Sequence, residues 1–255
     1  MTHPLTTKTV YVEGDDDVHI LQAWFPNIQF TTAGGKDKVA SRTKQHPACY
    51  GLSDRDFADD ANVTAGRAPD SRLALLRRFC IENYLLEPDI IADAVRAMPA
   101  IASHLAAWTD ETFVRQQLTA WGAELALYAA ANSIVAEWRQ TVEADFLRYF
   151  GPLPPLPRDQ VVQELQRRLA SLIRREEVED ILDARFRQIQ QDIAAWEGLH
   201  RWINGKALLE KCLYPRVFEP TGLAQARLRD ALIEAGKAHV PTELQKLADR
   251  WTPSF

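Results

Sequence analysis

Acidic side chains stand directly after two β-like segments in the first quarter of the chain. Glu13 follows the segment 9–12, and Asp54 and Asp56 follow the segment 50–53. A carboxylate is costly to bury alone, but several carboxylates delivered to one edge of a sheet supply the oxygen ligands that hard divalent cations need. This pattern predicts metal chemistry on a phosphate.

Alternating strands and helices are the elements that must position these carboxylates. The three aspartates 15–17 begin a helix that stops before Pro26. Residues 28–32 are then typical of a strand, and residues 36–45 of a helix. Three short strands separated by helices imply parallel pairing with right-handed crossovers, and ligands of such sheets bind beyond the carboxyl ends of the strands. We therefore expect an α/β fold, with a parallel sheet flanked by helices and a large helical appendage.

The sequence beyond about residue 98 is dominated by helix-forming residues. Two long segments, 112–150 and 159–196, carry apolar stripes and are joined by the proline-rich stretch 151–157. Such segments suggest an antiparallel hairpin that covers the sheet or docks another subunit. A homodimer in which these helices pack against a second copy of the chain explains the apolar stripes equally well. The predicted domains are an α/β core at 1–97, a helical insertion at 98–195 and a C-terminal helical segment at 196–255 that packs back on the core.

The charge balance limits how the chain can bind nucleic acid. The 255 residues carry a formal net charge of −5. This argues against binding by bulk electrostatics, because such binding neutralises phosphates with Lys and Arg. A local basic site is compatible with this total, and a specific RNA such as a transfer RNA is as compatible with it as DNA.

Cysteine usage and hydropathy indicate the compartment. The three cysteines, Cys49, Cys80 and Cys212, lack the spacing of a zinc site or a disulfide framework. No apolar run is long enough to cross a bilayer, and the first residues have neither the basic nor the apolar region of a secretion signal. We therefore expect a cytoplasmic protein without a membrane partner.

Several short motifs follow one another along the chain, separated by the predicted strands and helices. They are Glu13-Gly14, Asp17, Gly34-Gly35-Lys36 and Asp54-Arg55-Asp56. Together they resemble the Toprim domain of topoisomerases, primases and OLD-type nucleases. Two further stretches are Ile81-Glu82-Asn83-Tyr84-Leu85-Leu86 and Trp202-Ile203-Asn204-Gly205-Lys206-Ala207-Leu208-Leu209. With them the set resembles the Toprim nuclease subunit that partners an ABC-type ATPase in PARIS anti-phage defence systems, over residues 8–95 and, in part, 196–213.

This resemblance implies roles for five carboxylates. Glu13 would be a metal ligand or the general base for the attacking water, while Asp54 and Asp56 would hold Mg²⁺, with Mn²⁺ as the alternative ion. Glu82 would be a further ligand, and Asp17 stands where some OLD-type nucleases place another acidic ligand. Clustered carboxylates also raise one another's pKa unless a cation compensates, which supports the metal independently. The alternatives are that Asp17 serves only the helix dipole and that Glu82 only bonds backbone.

Two lysines are candidates for contact with a phosphate. Lys36 and Lys206 each follow a glycine, where a backbone can approach a phosphate closely and an ammonium group can neutralise developing charge. By the resemblance, Lys206 corresponds to a late basic residue of OLD-type sites. The alternative for Lys206 is a surface lysine at the start of a helix.

The leading hypothesis is a Mg²⁺-dependent Toprim endonuclease, an anti-phage effector that a partner ATPase holds inactive and releases on infection. The ATPase is expected to be a separate polypeptide, because Gly34-Gly35-Lys36-Asp37 lacks the Gly-x-x-x-x-Gly-Lys-Ser/Thr pattern of a P-loop. One alternative is a non-catalytic Toprim subunit for binding or assembly. The other is a metal-dependent small-molecule phosphohydrolase, which a closed pocket would favour.

Overall fold

A four-stranded parallel sheet forms the centre of the N-terminal part of the protein. A computed structural model describes residues 8–141, 156–169 and 175–252. The strands are β1 (Thr9–Val12), β2 (Gln29–Thr32), β3 (Tyr50–Ser53) and β4 (Leu73–Leu75), in the spatial order β2-β1-β3-β4. Val10 in the central strand β1 pairs with Phe30 on one side and with Tyr50 on the other. The predicted α/β class and the parallel pairing of the first three strands are confirmed.

The fourth strand was not predicted. Leu73–Leu75 is three residues long, too short to show the alternation by which a strand is recognised in sequence. It pairs with β3 and lies next to the turn that follows α3. The Arg72 guanidinium fixes its start by donating to the carbonyl oxygens of Thr43 (2.7 Å) and His46 (3.0 Å).

Helices cover the sheet and build the rest of the molecule. In the described residues the α-helices are α1 (Asp15–Trp24), α2 (Lys36–Gln45), α3 (Asp60–Ala65), α4 (Pro88–Arg96), α5 (Pro99–Ala102), α6 (Glu111–Thr141), α7 (Arg158–Leu169), α8 (Arg175–Asp192), α9 (Trp196–Trp202), α10 (Gly205–Ala207), α11 (Gln225–Gly236) and α12 (Thr242–Trp251). A π-helical segment, Leu208–Phe218, continues α10. Short 3₁₀ turns occupy Ile81–Tyr84, Ala106–Thr109, Glu219–Thr221 and Lys237–His239.

Two glycines tie the start of α2 to the end of β1. The backbone N–H groups of Gly34 and Gly35 both donate to the Glu13 carbonyl oxygen, each at 3.0 Å. Their φ angles are 87° and 123°, a region that residues with a Cβ rarely adopt. The two glycines therefore place the N-terminus of α2 beside the carboxyl end of β1.

The long helices pack against one another in the second half of the chain. The Arg185 guanidinium on α8 donates to Ser133 Oγ (2.9 Å) and to Glu137 Oε2 (2.8 Å) on α6. Further along the chain, Leu199 approaches Gly122 nearer the start of α6. The later residue, Leu199, thus contacts an earlier position of α6 than Arg185 does. The helices α8 and α9 therefore run antiparallel to α6.

The predicted second long segment is divided into two helices, α7 and α8. These also run antiparallel, because Arg158 pairs with Asp183 while Gln166 Nε2 donates to Glu179 Oε1 at 3.0 Å. Most of the predicted proline-rich connection, residues 151–155, lies outside the described residues. The antiparallel partner of α6 is thus α8 instead of the helix that directly follows the prolines.

The C-terminal helices return to the sheet layer. Trp24 Nε1 on α1 donates to the carbonyl oxygen of Ile233 on α11 at 2.9 Å. Trp251 on α12 packs edge-on against Phe30 of β2, with ring centroids 6.1 Å apart. One continuous apolar core includes residues of the sheet, the long helices and these C-terminal helices. The domain boundaries after residues 97 and 195 stay predictions.

Within the described ranges, every helix is too short or too polar to span a bilayer.

Candidate functional site

An acidic cleft of about 560 Å³ lies at the carboxyl ends of β1 and β3. This is the edge at which the sequence predicts a ligand for a parallel sheet. The residues that line the cleft are Glu13, Gly14, Asp15, Asp16, Asp17, Gly35, Asp54, Cys80, Glu82, Asn204 and Lys206. Five predicted site residues, Glu13, Asp17, Asp54, Glu82 and Lys206, are thus brought together.

Glu13 links the ends of the two central strands. Its Oε1 accepts a hydrogen bond from the backbone N–H of Asp54 at 2.9 Å. Burial raises the pKa of the Glu13 carboxyl, and the nearby charge of Asp56 raises it further, against the lowering effect of the Asp54 N–H and of Lys36. Glu13 is therefore a weaker acid than a free glutamate and lies in direct contact with the next carboxylate-bearing residue.

Asp54 and Asp17 are the carboxyls most perturbed by their surroundings. Burial, followed by the negative charges of Asp17, Glu13 and Glu82, raises the pKa of Asp54 well above its usual range. Burial raises the pKa of Asp17 to about 6, although its Oδ2 accepts a 2.9 Å hydrogen bond from the Gly14 N–H at the start of α1. The repulsion predicted for clustered carboxylates is present in this cleft.

Glu82 reaches the cleft from the 3₁₀ turn Ile81–Tyr84. Its side chain is 5% exposed, and its Oε1 lies 3.3 Å from Nη2 of Arg229 on α11. Nη1 of the same guanidinium lies 2.7 Å from Asp16 Oδ1. The other oxygen of Asp16, Oδ2, accepts from Lys206 Nζ at 3.0 Å. The N-terminal and C-terminal parts of the chain therefore meet at this wall of the cleft through ion pairs.

Asp56 and Lys36 form a separate contact on the turn that follows β3. Lys36 Nζ donates to Asp56 Oδ2 at 3.0 Å and to the Asp54 carbonyl oxygen at 2.7 Å. Asp56 has a φ of 50°, in the left-handed region that Asp tolerates better than most residues. Lys36 thus holds the turn that carries Asp54, and the metal-binding role of Asp56 and the phosphate role of Lys36 stay predictions.

Asn83 joins the two stretches that carry the closer family resemblance. Its Oδ1 accepts from the backbone N–H groups of Cys80 (3.0 Å) and Gly205 (3.1 Å), and its Nδ2 donates to the Ile203 carbonyl oxygen (3.0 Å). Asn83 is fully buried. A Cβ at position 205 would lie only 2.5 Å from the Asn83 nitrogen, so the approach requires glycine. Glu82 is next to Asn83 in sequence, and Lys206 is next to Gly205. The contact between Asn83 and Gly205 therefore brings Glu82 and Lys206 to the same cleft.

Sequence analysis missed two charged residues at the site, Asp16 and Arg229. Asp16 belongs to a run of three aspartates that helix capping explains by itself. Arg229 lies 147 positions after Glu82 in an ordinary amphipathic helix, where no local motif marks it. The packing of α11 against α1, α4 and the π-helical segment Leu208–Phe218 brings Arg229 to the cleft.

The donor set fits a hard divalent cation in its chemistry. It consists of carboxylate oxygens, which Mg²⁺ and Mn²⁺ prefer. Burial is the largest cause of the raised pKa values of Glu13, Asp17 and Asp54, and the negative charges of neighbouring carboxylates raise them further. Across residues 8–141, 156–169 and 175–252, however, no three His, Cys, Asp or Glu side chains are arranged closely enough to hold a metal ion as they stand. The cleft therefore matches a divalent cation in charge and in ligand type. The carboxylate side chains would have to move closer together to coordinate the ion.

No family model matches the chain, and no curated protein sequence matches it significantly. The residues of the cleft therefore carry the functional assignment.

Proposed function

We propose that this protein is a divalent-metal-dependent phosphodiesterase, a Toprim-type endonuclease that cleaves nucleic acid. One observation carries the proposal. Four carboxylates, from Glu13, Asp17, Asp54 and Glu82, line one cleft at the carboxyl edge of a parallel sheet. They come from three separate segments of the chain, and their mutual repulsion persists in the folded protein. Such a cluster costs stability unless it serves a cation.

Mg²⁺, or Mn²⁺ in its place, would be held by Asp54, Glu13 and Asp17, with Glu82 as a further ligand after it leaves Arg229. When bound, the ion supplies charge for the phosphate oxygens and lowers the pKa of a water nucleophile. The buried position of Asp54 supports its place at the centre of this set, because burial strengthens electrostatic attraction to a cation.

Residues of the chain itself supply proton transfer and phosphate contact. In the alternative role, in which Glu13 does not hold the ion, it is a candidate general base, because burial makes it a better proton acceptor than a free glutamate and because the Asp54 N–H orients its carboxylate. Lys206 is a candidate for stabilising charge on the phosphate, since its ammonium group lines the same cleft. Lys36 acts through the turn that it holds beside Asp54.

The biological setting is proposed from the family resemblance. The protein would act in the cytoplasm as an effector of anti-phage defence that a separately encoded ABC-type ATPase restrains until infection. The absence of a P-loop motif from the sequence supports a separate ATPase. Transfer RNA is one candidate substrate, other RNA and DNA are the others, and a homodimer through the long helices is compatible with this setting.

The test is cleavage of labelled total RNA and plasmid DNA by purified protein with Mg²⁺, with Mn²⁺ and with EDTA. We expect metal-dependent products from the wild type and from Asp37→Asn, whose exposed aspartate lies on the first turn of α2. Glu13→Ala and Asp54→Ala should give no products while keeping the wild-type circular dichroism spectrum. The assay is repeated with the partner ATPase and its trigger, because the effector is proposed to be restrained.

Two outcomes would replace the proposal. Folded Glu13→Ala and Asp54→Ala proteins that keep full biological activity would indicate a non-catalytic Toprim subunit. Release of phosphate from nucleotides, with nucleic acid left intact, would indicate a small-molecule phosphohydrolase, for which a cleft of about 560 Å³ is large enough.

A further inference from the structure

Asp16 lies between two cations at the wall of the acidic cleft. Its Oδ1 lies 2.7 Å from Arg229 Nη1, and its Oδ2 lies 3.0 Å from Lys206 Nζ. Each carboxylate oxygen thus has its own cationic donor. A phosphodiester group also has two oxygens on one central atom. A guanidinium and an ammonium group can therefore bind it in the same way, with one oxygen facing each cation.

The side chain of Asp16 makes no capping hydrogen bond in its own helix. The N–H of Gly14 at the start of α1 is capped by Asp17 and not by Asp16. Among the described residues, the hydrogen bonds and ion pairs of the Asp16 side chain all go to Arg229 and Lys206. The Asp16 carboxylate therefore occupies the position between Lys206 and Arg229, which we call the cationic pair.

The cationic pair is open to solvent at Lys206, whereas the Arg229 side chain is only 19% exposed. The Arg229 Nε atom is buried and, within the described residues, has no hydrogen-bond partner. The side chains of Lys206 and Asp16 are 49% and 39% exposed, so a phosphate can reach the pair when Asp16 turns away. The ion pair between Lys206 and Asp16 is half-exposed, and such pairs contribute little to stability, so a polyanion can compete with Asp16 for Lys206.

The position of the pair also matters. Glu13 and Asp54 line the same cleft and would repel a phosphate that approached them alone. A cationic wall beside these carboxylates would hold a nucleic-acid strand while one of its phosphates lies over the acidic residues. Lys206 and Arg229 are the cations that face Asp16 and Glu82 there.

We infer that Lys206 and Arg229 form a binding site for a backbone phosphate of a nucleic-acid strand, and that Asp16 occupies this site in the substrate-free protein. The inference rests on the proposed function, since it assigns the substrate contact of the same cleft. Asp16 is then an internal competitor that the substrate must displace.

The test is equilibrium binding of short fluorescein-labelled single-stranded RNA and DNA in EDTA, where no metal-dependent cleavage can occur. Asp16→Asn should tighten binding about fivefold, the ratio that corresponds to roughly 1 kcal/mol for a half-exposed ion pair. Asp15→Asn is the matched control, because it removes the same charge from the neighbouring, exposed residue of the same cleft. Its effect should stay below about twofold, as expected for a screened charge without a direct contact.

Further variants show whether the cationic pair is the site. In the Asp16→Asn background, Lys206→Met and Arg229→Met should each abolish the gain in affinity. Should Asp16→Asn fold poorly by circular dichroism, Asp16→Ser provides the same test, because serine suits the first turn of a helix. Equal tightening by Asp15→Asn and Asp16→Asn, or no tightening by either Asp16 variant, would overturn the inference. A gain for RNA alone or DNA alone would identify the strand.

These outcomes are separable from failure of the proposed function. Metal-dependent cleavage by the wild type without a gain in Asp16→Asn would retain the nuclease and remove the phosphate site. A gain in binding, with no cleavage even when the partner ATPase and its trigger are present, would retain the phosphate site and remove the nuclease.

Discussion

Three carboxyls of the cleft are buried close enough together to oppose each other's ionisation. The pKa of Asp54 and of Glu13 is raised, and that of Asp17 is raised to about 6, with burial as the largest cause in each case. A protein without a ligand for this cluster would gain stability by replacing it. The cluster is therefore best explained as a site whose cost a bound cation offsets.

Stability should depend on pH through Asp17 in a defined direction. Its folded-state pKa is raised from 3.8 to about 6, so the folded protein binds the proton more tightly than the unfolded chain. The stabilisation is full at low pH and is lost as pH rises through about 6. Between about pH 5 and pH 8 the loss is about 1.4 kcal/mol, since one pKa unit corresponds to that free energy.

Asp17→Asn isolates this contribution, because the amide oxygen can still accept from the Gly14 N–H. In metal-free buffer, the free energy of unfolding of Asp17→Asn minus that of the wild type should grow by about that amount between pH 5 and pH 8. Urea denaturation at the two pH values measures it. Asp37→Asn, at an exposed first-turn position on α2, is the control and should follow the wild-type profile. Parallel profiles for wild type and Asp17→Asn would contradict the shift.

At the scale of elements, the site depends on a short contact between the turn Ile81–Tyr84 and α10. Asn83 makes this contact with backbone groups on both sides, and a glycine at position 205 allows the close approach. The contact has no carboxylate of its own. Its role is to position Glu82 and Lys206 at one cleft.

Asn83→Ala should destabilise the protein strongly. It leaves the buried N–H groups of Cys80 and Gly205 and the Ile203 carbonyl without the partner they have now, which costs at least about 3 kcal/mol at about 1 kcal/mol or more for each group. Urea denaturation gives the value. Asn62→Ala, the same substitution at an exposed position of α3, should change the free energy of unfolding by less than about 0.5 kcal/mol. Similar small losses in both variants would show that Asn83 does not join the two elements.

Sequence patterns predicted the elements with strong local signals and missed those without one. The strand Tyr50–Ser53 and the helix Lys36–Gln45 were predicted at the bounds that the structure gives. The strand Leu73–Leu75 was missed because three residues show no period. The segment after Asp159 was predicted as one helix because its apolar spacing continues, whereas the structure places two helices, α7 and α8, there.

At the scale of the whole molecule, both ends of the chain build the cleft. The ends of β1 and β3, the helix α1 and the turn Ile81–Tyr84 contribute the carboxylates, while α10 and α11 contribute Lys206 and Arg229. The contact between Trp24 and the carbonyl oxygen of Ile233 holds these two parts together. Glu13 and Asp54 could be predicted because each follows its own strand, and Asp17 and Glu82 were predicted from the family resemblance. Arg229 could not be predicted, because its position depends on packing between residues far apart in sequence.

Binding of a divalent cation is the central claim, and it can be measured whether or not a partner restrains cleavage. The measurement is calorimetric titration of metal-free protein with Mg²⁺ and with Mn²⁺, comparing wild type, Asp54→Asn and the control Asp37→Asn. We predict saturable binding to wild type and control, and affinity lower by at least about tenfold, or 1.4 kcal/mol, in Asp54→Asn. Heats of dilution alone for the wild type, or an unchanged isotherm for Asp54→Asn, would contradict a metal site in this cleft.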